Sequence, residues 1–346
     1  MFPHIPSHCA HLFTSDHAIR ASGFREISGL LRPSGNKHIT TSFVYEVEEA
    51  ILTPDESAYF CNRVRSRDVD NGRMPSGAEL FARIERHPDY YVGSSEEALL
   101  RNLEVKSLSK NAIVTELGPG DGRKAAIFFS LDPLSTDITY QAIDTSGDFL
   151  EMTAAKISAF KNIDQKMHCG DFFSVPGSFD KADTVLFLGT TISNFDRATA
   201  EKLLAHIRNG YLKEGGTLIL GQDSNHDLAR LQCCYNDNDK HTATFVLNAL
   251  RSIKQHYLPS LDLNTFTYHA YFDQRSETMR MGIYVTQGSF IETEFGPICF
   301  ERGEFISVGQ SRKYSIESIK KMAKTAGFTS IETLSAKTGV NIHSIR

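Results

Sequence analysis

The sequence predicts a doubly wound α/β sheet that carries an α+β insertion, and three observations lead there. From residue 110 onward, apolar strand-like runs alternate with helix-like stretches, the pattern of a mostly parallel sheet covered on both faces. The first of those runs ends in an acid and then in glycines at every second position, Glu116-Leu-Gly118-Pro-Gly120-Asp-Gly122, just before the helix-like stretch 124–130. After Gly221 the rhythm changes to a long helical stretch and then to antiparallel alternation, and the helix–strand pattern returns at residue 315.

Taken in order, residues 1–45 mix His, Ser, Gly and Pro without periodicity and are expected to form an irregular arm. Three helix starts follow. Thr53-Pro-Asp-Glu56 joins a cap, a first-turn proline and a reciprocal acid, while Ser76-Gly-Ala-Glu79 and Ser94-Ser-Glu-Glu97 repeat the capping-box pattern. Pro88 stops the second of these helices and leaves Asp89-Tyr90-Tyr91 in a turn. Strands are expected at 111–116, 138–143, 183–188 and 216–221, with a third strand ending near Gly170. Helices are expected at 122–130, 146–160 and 197–209, then across 227–256. Antiparallel strands are expected at 265–272, 278–286, 289–294 and 298–305, before a helix at 315–326 and two terminal strands. The expected organisation is an arm (1–45), the first part of the main domain (46–225), an insertion (226–312) and the rest of the main domain (313–346).

Bulk composition narrows the function classes. The chain has 346 residues, 40% apolar and 23% charged, as in globular proteins that bury a sizeable core. A formal net charge of −5 argues against a nucleic-acid footprint. No apolar run is long enough to span a membrane, and Met1-Phe-Pro-His4 lacks the pattern of a secretory signal. Six cysteines without a C-x-x-C pair fit a reducing compartment, so a cytoplasmic location is expected. His4, His8, Cys9 and His11 form a loose terminal tract, and no metal site is expected from them.

The glycine turn is the most informative segment for chemistry. Gly118 and Gly120 let a strand-to-helix turn bend sharply and let a ligand lie against bare backbone. The helix N-terminus that follows favours negative charge. Asp144, at the end of the second strand, is placed to accept both hydroxyls of a ribose; its alternative is a cap for helix 146–160. Asp171 and Phe172 fall at the end of the third strand, where an acceptor for an adenine amino group and an aromatic cover would serve; a plain turn is the alternative. Lys124 is placed to pair with a ligand carboxylate, or is an exposed helix lysine. Asn194, in the loop after the fourth strand, faces the end of the sheet where open α/β folds bind ligands, although loop asparagines also form turns.

The spacing G-x-G-x-G, preceded by an acid, resembles the first motif of S-adenosylmethionine (SAM) dependent methyltransferases. Six segments extend the likeness in order: Ser76–Tyr91 (SGAELFARIERHPDYY), Glu116–Lys124 (ELGPGDGRK), Phe187–Phe195 (FLGTTISNF), Ala229–Asp237 (ARLQCCYND), Thr242–Leu250 (TATFVLNAL) and Ser311–Tyr314 (SRKY). Together they resemble the SAM-dependent histidine N-alpha-methyltransferases of ergothioneine biosynthesis and their relatives, over residues 50–346. The resemblance implies a Rossmann-like class I methyltransferase domain with an inserted α+β substrate domain. It implies that Gly118, Gly120, Lys124, Asp144, Asp171 and Phe172 hold SAM. Asn194 and Tyr235 would hold a substrate carboxylate, Tyr90 would stand beside the substrate amine, and Met281 and Ser311 would line the substrate pocket. Because the attacking nitrogen must be neutral, Tyr90 or a water beside it is the candidate proton relay.

Two departures bear on the substrate. Histidine-specific members carry an acid two residues before the serine that corresponds to Ser311, and here that residue is Gly309. A buried imidazole donor would lose its acceptor, at a cost of about 1–3 kcal/mol. The family's aromatic Phe-Tyr-Asp entry to the Gly-x-x-Leu-Phe helix is replaced here by Gly72-Arg73-Met74, and a guanidinium at Arg73 suits a carboxylate or phosphate better than an amine. The expected activity is therefore methylation of the amine of a small, carboxylate-bearing, amino-acid-like substrate other than histidine. Histidine methylation, non-catalytic SAM binding as a scaffold, and nicotinamide chemistry are the competing readings, and the glycine spacing disfavours the last.

Overall fold

The computed structural model describes residues 24–26, 61, 67–69, 72–104, 108–131, 137–256, 258–292 and 298–346. The chain forms two compact units, one from residues 1–84 and 227–311, the other from residues 85–226 and 312–346.

In chain order the described elements begin with β1 (Phe24–Glu26), β2 (Arg67–Val69), β3 (Gly72–Met74), α1 (Gly77–Arg86) and α2 (Tyr91–Arg101). Next come β4 (Ala112–Leu117), α3 (Arg123–Leu131), β5 (Ile138–Asp144), α4 (Gly147–Ile157), β6 (Ile163–Cys169) and β7 (Ala182–Phe187). A short 3-10 turn, Thr191–Asn194, precedes α5 (Arg197–His206) and β8 (Leu212–Asp223). Then follow α6 (Leu228–Tyr235), α7 (His241–His256), β9 (Phe266–Asp273), β10 (Thr278–Val285), β11 (Ser289–Ile291), β12 (Ile298–Phe300) and β13 (Phe305–Arg312). The chain finishes with α8 (Ile316–Thr325), β14 (Ile331–Ser335) and β15 (Val340–Ile345).

The second unit holds a seven-stranded sheet in the order β14-β15-β8-β7-β4-β5-β6. Strands β4 to β8 are parallel, while β15 runs antiparallel to both β8 and β14. Strand β4 is nearly all buried because helices cover the sheet, which is why it reads as an apolar run. Helix α2 packs on α3 and β15, α3 on α4, and α5 on α8. Polar residues set the helix starts: Ser146, Asp196 and Ser315 accept backbone N–H groups three residues on. Phe129 meets Tyr140 edge-on at 5.3 Å in the core, beside fully buried Phe128, Leu117 and Phe187. This is the Rossmann-like α/β sheet that the strand–helix alternation predicts.

The first unit is built on a four-stranded sheet, β1-β13-β10-β9. Strand β1 pairs in parallel with β13, Phe24 opposite Phe305, and β10 pairs antiparallel with β9. Helices α6 and α7 pack on β9, and α7 also touches β10. The capping box on α1 forms in both directions: Glu79 N–H donates to Ser76 Oγ at 3.1 Å, and Ser76 N–H donates to Glu79 Oε2 at 2.9 Å. No helix among the described residues is long and apolar enough to cross a membrane.

Several elements differ from expectation, each for a local reason. The stretch 227–256 is two helices, broken where Asp237 accepts the N–H groups of His241 (2.6 Å) and Thr242 (2.9 Å) and starts a new helix. The strand expected over 298–305 stops at Phe300; the chain turns through Gly303 at φ +90° and a further strand, β13, begins at Phe305. Helix α2 begins at Tyr91 rather than at Ser94, because buried Tyr91 and Val92 already belong to its packed face. Within the expected arm, Phe24–Glu26 is a strand. The helix start at Thr53–Glu56 lies outside the described residues.

Candidate cofactor and active site

The carboxyl ends of β4, β5 and β6 lie side by side. Gly118 N–H donates to Ile143 O at 2.9 Å, and Gly170 N–H donates to Asp144 O at 3.0 Å. These bonds continue the parallel ladder, in which Leu117 faces Ile143 and Asp144 faces Cys169. The glycine turn, Asp144 and the Gly170–Asp171 turn therefore form one row along the sheet edge. Strand order reverses between β4 and β7, which puts the row at the crevice where open α/β sheets bind ligands.

Each glycine of the turn has a distinct task. Gly118 and Gly120 adopt φ of +71° and +60°, and a Cβ on either would meet nothing within 4 Å, so their backbone is open to a ligand. Gly122, at φ +74°, is a packing residue: a Cβ there would lie 2.8 Å from Thr153 Cα on α4. Thr153 Oγ1 donates to Gly120 O at 2.9 Å and ties the turn to that helix. Open backbone just before the N-terminus of α3 is compatible with the carboxylate-bearing tail of SAM.

Asp144 is half-buried, and its Oδ1 accepts Ser146 N–H at 2.9 Å. The N-cap of α4 is Ser146, and Asp144 holds the Ser146 amide in the turn just before it. Asp171 is exposed, with Oδ1 accepting Phe173 N–H at 2.9 Å. Phe172 is 4% exposed and packs edge-on against Phe187 and Phe195, so its ring belongs to the core. The aromatic ring that reaches the surface in this turn is Phe173.

Lys124 is not the exposed helix lysine of the simpler reading. Its Nζ donates to Glu85 Oε1 at 2.9 Å and lies 3.4 Å from Glu96 Oε2, with both acids buried. Burial pulls the ammonium down, but Glu85, Glu96 and Glu116 outweigh it and hold Lys124 above the ordinary lysine range. Burial also pushes the Glu96 carboxyl up, against the pull of Lys124 and the Gly189 N–H. Glu116, at the end of β4, is pushed up to about 7 by burial, although the Tyr140 hydroxyl donates to it. Nearby Asp121 is held below the usual carboxylate range: its burial is overcome by Arg123, Lys156 and Arg86.

Beyond β7 the chain passes through Gly189 at φ +73° and Thr190 at φ +54° into the turn that ends at Asn194. Tyr90 precedes α2 and is half-buried, while the neighbouring Tyr91 hydroxyl donates to Asp223 at 2.7 Å. Asp223 also accepts Lys313 Nζ at 2.6 Å, and both side chains of that pair are fully buried. The pair anchors the end of β8 to the start of the chain's return into this unit.

Tyr235, Met281 and Ser311 lie in the other unit. Tyr235 ends α6, and its hydroxyl donates to Ser311 Oγ at 2.9 Å. Tyr268 donates to Tyr235 O at 2.7 Å, and Asn236 bonds both backbone groups of Ala270, so α6 ends over one face of β9. Ala270 faces Met281 in the ladder, which places Met281 on that same face. Arg73 is in β3, and its side chain is outside the described residues.

Sequence reasoning missed Glu85, Glu96 and the Lys313–Asp223 pair. Glu96 sits inside Ser94-Ser-Glu-Glu97, which reads as a solvated helix start, and periodicity marks apolar faces rather than buried acids. The one available signal for Lys313 is its place in Ser311–Tyr314, one of the six segments that carry the family resemblance.

Comparison with known proteins adds to this geometry. Over 281 residues the chain is 27% identical to ergothioneine biosynthesis protein 1 of Neurospora crassa, covering 74% of this chain and 30% of that protein. Over 211 residues it is 29% identical to histidine N-alpha-methyltransferase of Mycobacterium tuberculosis, covering 59% and 65% respectively. It is 28% identical over 154 residues to 4-dimethylallyltryptophan N-methyltransferase of Claviceps fusiformis, covering 40% and 43%. The aligned parts thus span less than two thirds of each of these relatives. The model of the family described as "Histidine-specific methyltransferase, SAM-dependent" matches residues 70–343, an interval that takes in the glycine turn, both acidic strand tips and the Ser311–Tyr314 segment, and the chain belongs to that family.

Proposed function

We propose that this chain is a SAM-dependent N-methyltransferase acting on the amine of a small, carboxylate-bearing, amino-acid-like substrate other than histidine. The observation that carries the reading is the continuous row of strand tips, with open glycine backbone, Asp144 and Asp171 as neighbours along one sheet edge. In it Gly118 and Gly120 take the cofactor's amino-acid tail, Asp144 takes the ribose hydroxyls, and Asp171 takes the adenine amino group. The Phe172 ring supports that turn from the core, and Lys124 offers charge to the cofactor carboxylate.

When bound, SAM supplies a methyl carbon already made electrophilic by its sulfonium. What remains for the chain is alignment, which contributes up to roughly 7–11 kcal/mol in ideal intramolecular models. Asn194 holds the acceptor's carboxylate, with Tyr235, Met281 and Ser311 as further substrate contacts and Arg73 as a candidate partner for an acidic group. The acceptor nitrogen must lose a proton before it can attack, and Tyr90 or a water beside it relays that proton.

Gly309 in place of an acid, and Arg73 in place of an aromatic, favour a substrate without an imidazole. The relatives named for histidine and for a tryptophan derivative support amino-acid amines as the broader class. The test is a screen of amino acids and amino-acid-derived amines with isotopically labelled SAM, read by mass spectrometry. A carboxylate-bearing acceptor other than histidine is expected to dominate; efficient histidine turnover would restore the competing reading. SAM binding without transfer to any acceptor would favour a scaffold.

A further inference from the structure

Glu96 is an acid with no solvent exposure placed at the junction of four elements. From α2 it reaches the turn after β7, where both its oxygens accept Gly189 N–H, at 3.0 and 2.8 Å. Its Oε2 lies 3.4 Å from Lys124 Nζ on α3. Strand β8 makes room for it with Gly221, where a Cβ would come within 1.8 Å of Glu96 Oε1. Gly189 is constrained in turn, since a Cβ there would stand 3.2 Å from Lys124 Nζ.

The backbone gripped this way is unusual. Gly189 and Thr190 both have positive φ, and a β-branched residue adopts that region only when its surroundings impose it. Asn194 follows within one short turn. Lys124 meanwhile has two carboxylates around one ammonium, so any further carboxylate competes for its charge.

We propose that Glu96 is a positioning residue for methyl transfer, with two effects: it clamps the Gly189–Asn194 backbone, and it withholds part of the Lys124 charge from the cofactor's carboxylate. The second effect rests on the cofactor reading given above; the first does not.

The two effects separate in substitutions. Glu96→Gln keeps an oxygen for Gly189 N–H but removes the charge. Glu96→Ala removes both. Amide hydrogen exchange over residues 188–195 reports the clamp in the ligand-free protein, and calorimetry with S-adenosylhomocysteine reports the charge. Glu96→Gln is expected to keep exchange within about threefold of wild type and to bind S-adenosylhomocysteine about three- to tenfold more tightly. Glu96→Ala is expected to speed exchange in that segment by about tenfold or more, with distant strands unchanged. If the alanine variant does not fold, Glu96→Asp, one methylene short of Gly189, takes its place with the same expectation. A residue that only supports the fold would weaken binding in every variant, so equal or weaker binding by Glu96→Gln overturns the charge effect. Unchanged exchange in the shortened variants overturns the clamp. Failure of the wild type to bind S-adenosylhomocysteine would strike the cofactor reading instead, and the exchange comparison would still decide the clamp.

Discussion

Asp144 ends β5 beside the open glycine backbone of the neighbouring strand end, and its Oδ1 accepts the Ser146 amide. Its proposed role predicts that Asp144→Ala removes most affinity for S-adenosylhomocysteine, about tenfold or more by calorimetry, since two charge-assisted hydrogen bonds would be lost. Unchanged binding would discard the ribose assignment. Glu116 makes a different prediction. Its folded-state pKa is raised from 4.5 to about 7, chiefly by burial. The folded protein therefore keeps a proton on Glu116 that the unfolded chain has already released. That contribution is full below 4.5 and is lost as pH rises to about 7. Denaturant unfolding across pH 5–7.5 should show wild-type stability falling more steeply than that of Glu116→Gln, by on the order of 1–3 kcal/mol. Parallel curves would refute the shift. At this scale the sequence was legible where position follows from the local strand–turn pattern: Gly118, Asp144 and Asp171 lie at neighbouring strand ends, as their spacing predicts. It was opaque where the job is to be buried beside an opposite charge, as for Glu85, Glu96 and Lys313, because only the fold brings those partners together.

Elements were readable in proportion to how much of their pattern is local. Strands β4, β5 and β7 are buried on both faces and announce themselves as apolar runs. Strand β6 is a sheet edge with a mostly half-exposed pattern, and its segment, Ile163–Cys169, carries little apolar signal; only the turn after it marks where it ends. The break between α6 and α7 depends on Asp237 capping a new helix, a preference that the surrounding helical periodicity hides. The glycine turn shows the opposite case, where local chemistry and packing agree. Gly122→Ala would place a Cβ against the Thr153 backbone in a left-handed conformation, and is expected to cost roughly 2–4 kcal/mol in denaturant unfolding. A loss below about 0.5 kcal/mol would mean that α3 and α4 shift freely, against the close packing described here.

At the scale of the whole molecule, the family was legible because six spaced segments agree in order, whereas the substrate turns on a few side chains whose neighbours come from distant segments. Tyr235→Phe tests one of these: it is expected to raise the Michaelis constant for the acceptor identified by the screen, by about three- to thirtyfold, while affinity for S-adenosylhomocysteine stays the same. The reverse pattern would move Tyr235 to the cofactor. The arrangement of β15 has a separate consequence for how the chain reaches its native state. Because β15 lies between β8 and β14, the outer rim of β8 waits for residues such as Asn341, whose amide meets Gln222 across 119 positions of sequence. Until that segment arrives, a half-assembled sheet presents a long row of unanswered backbone groups, a surface on which a second nascent chain can nucleate misassembly. Recovery from denaturant should therefore fall as protein concentration rises, and a refolding yield indifferent to concentration would show that this rim is shielded by other means.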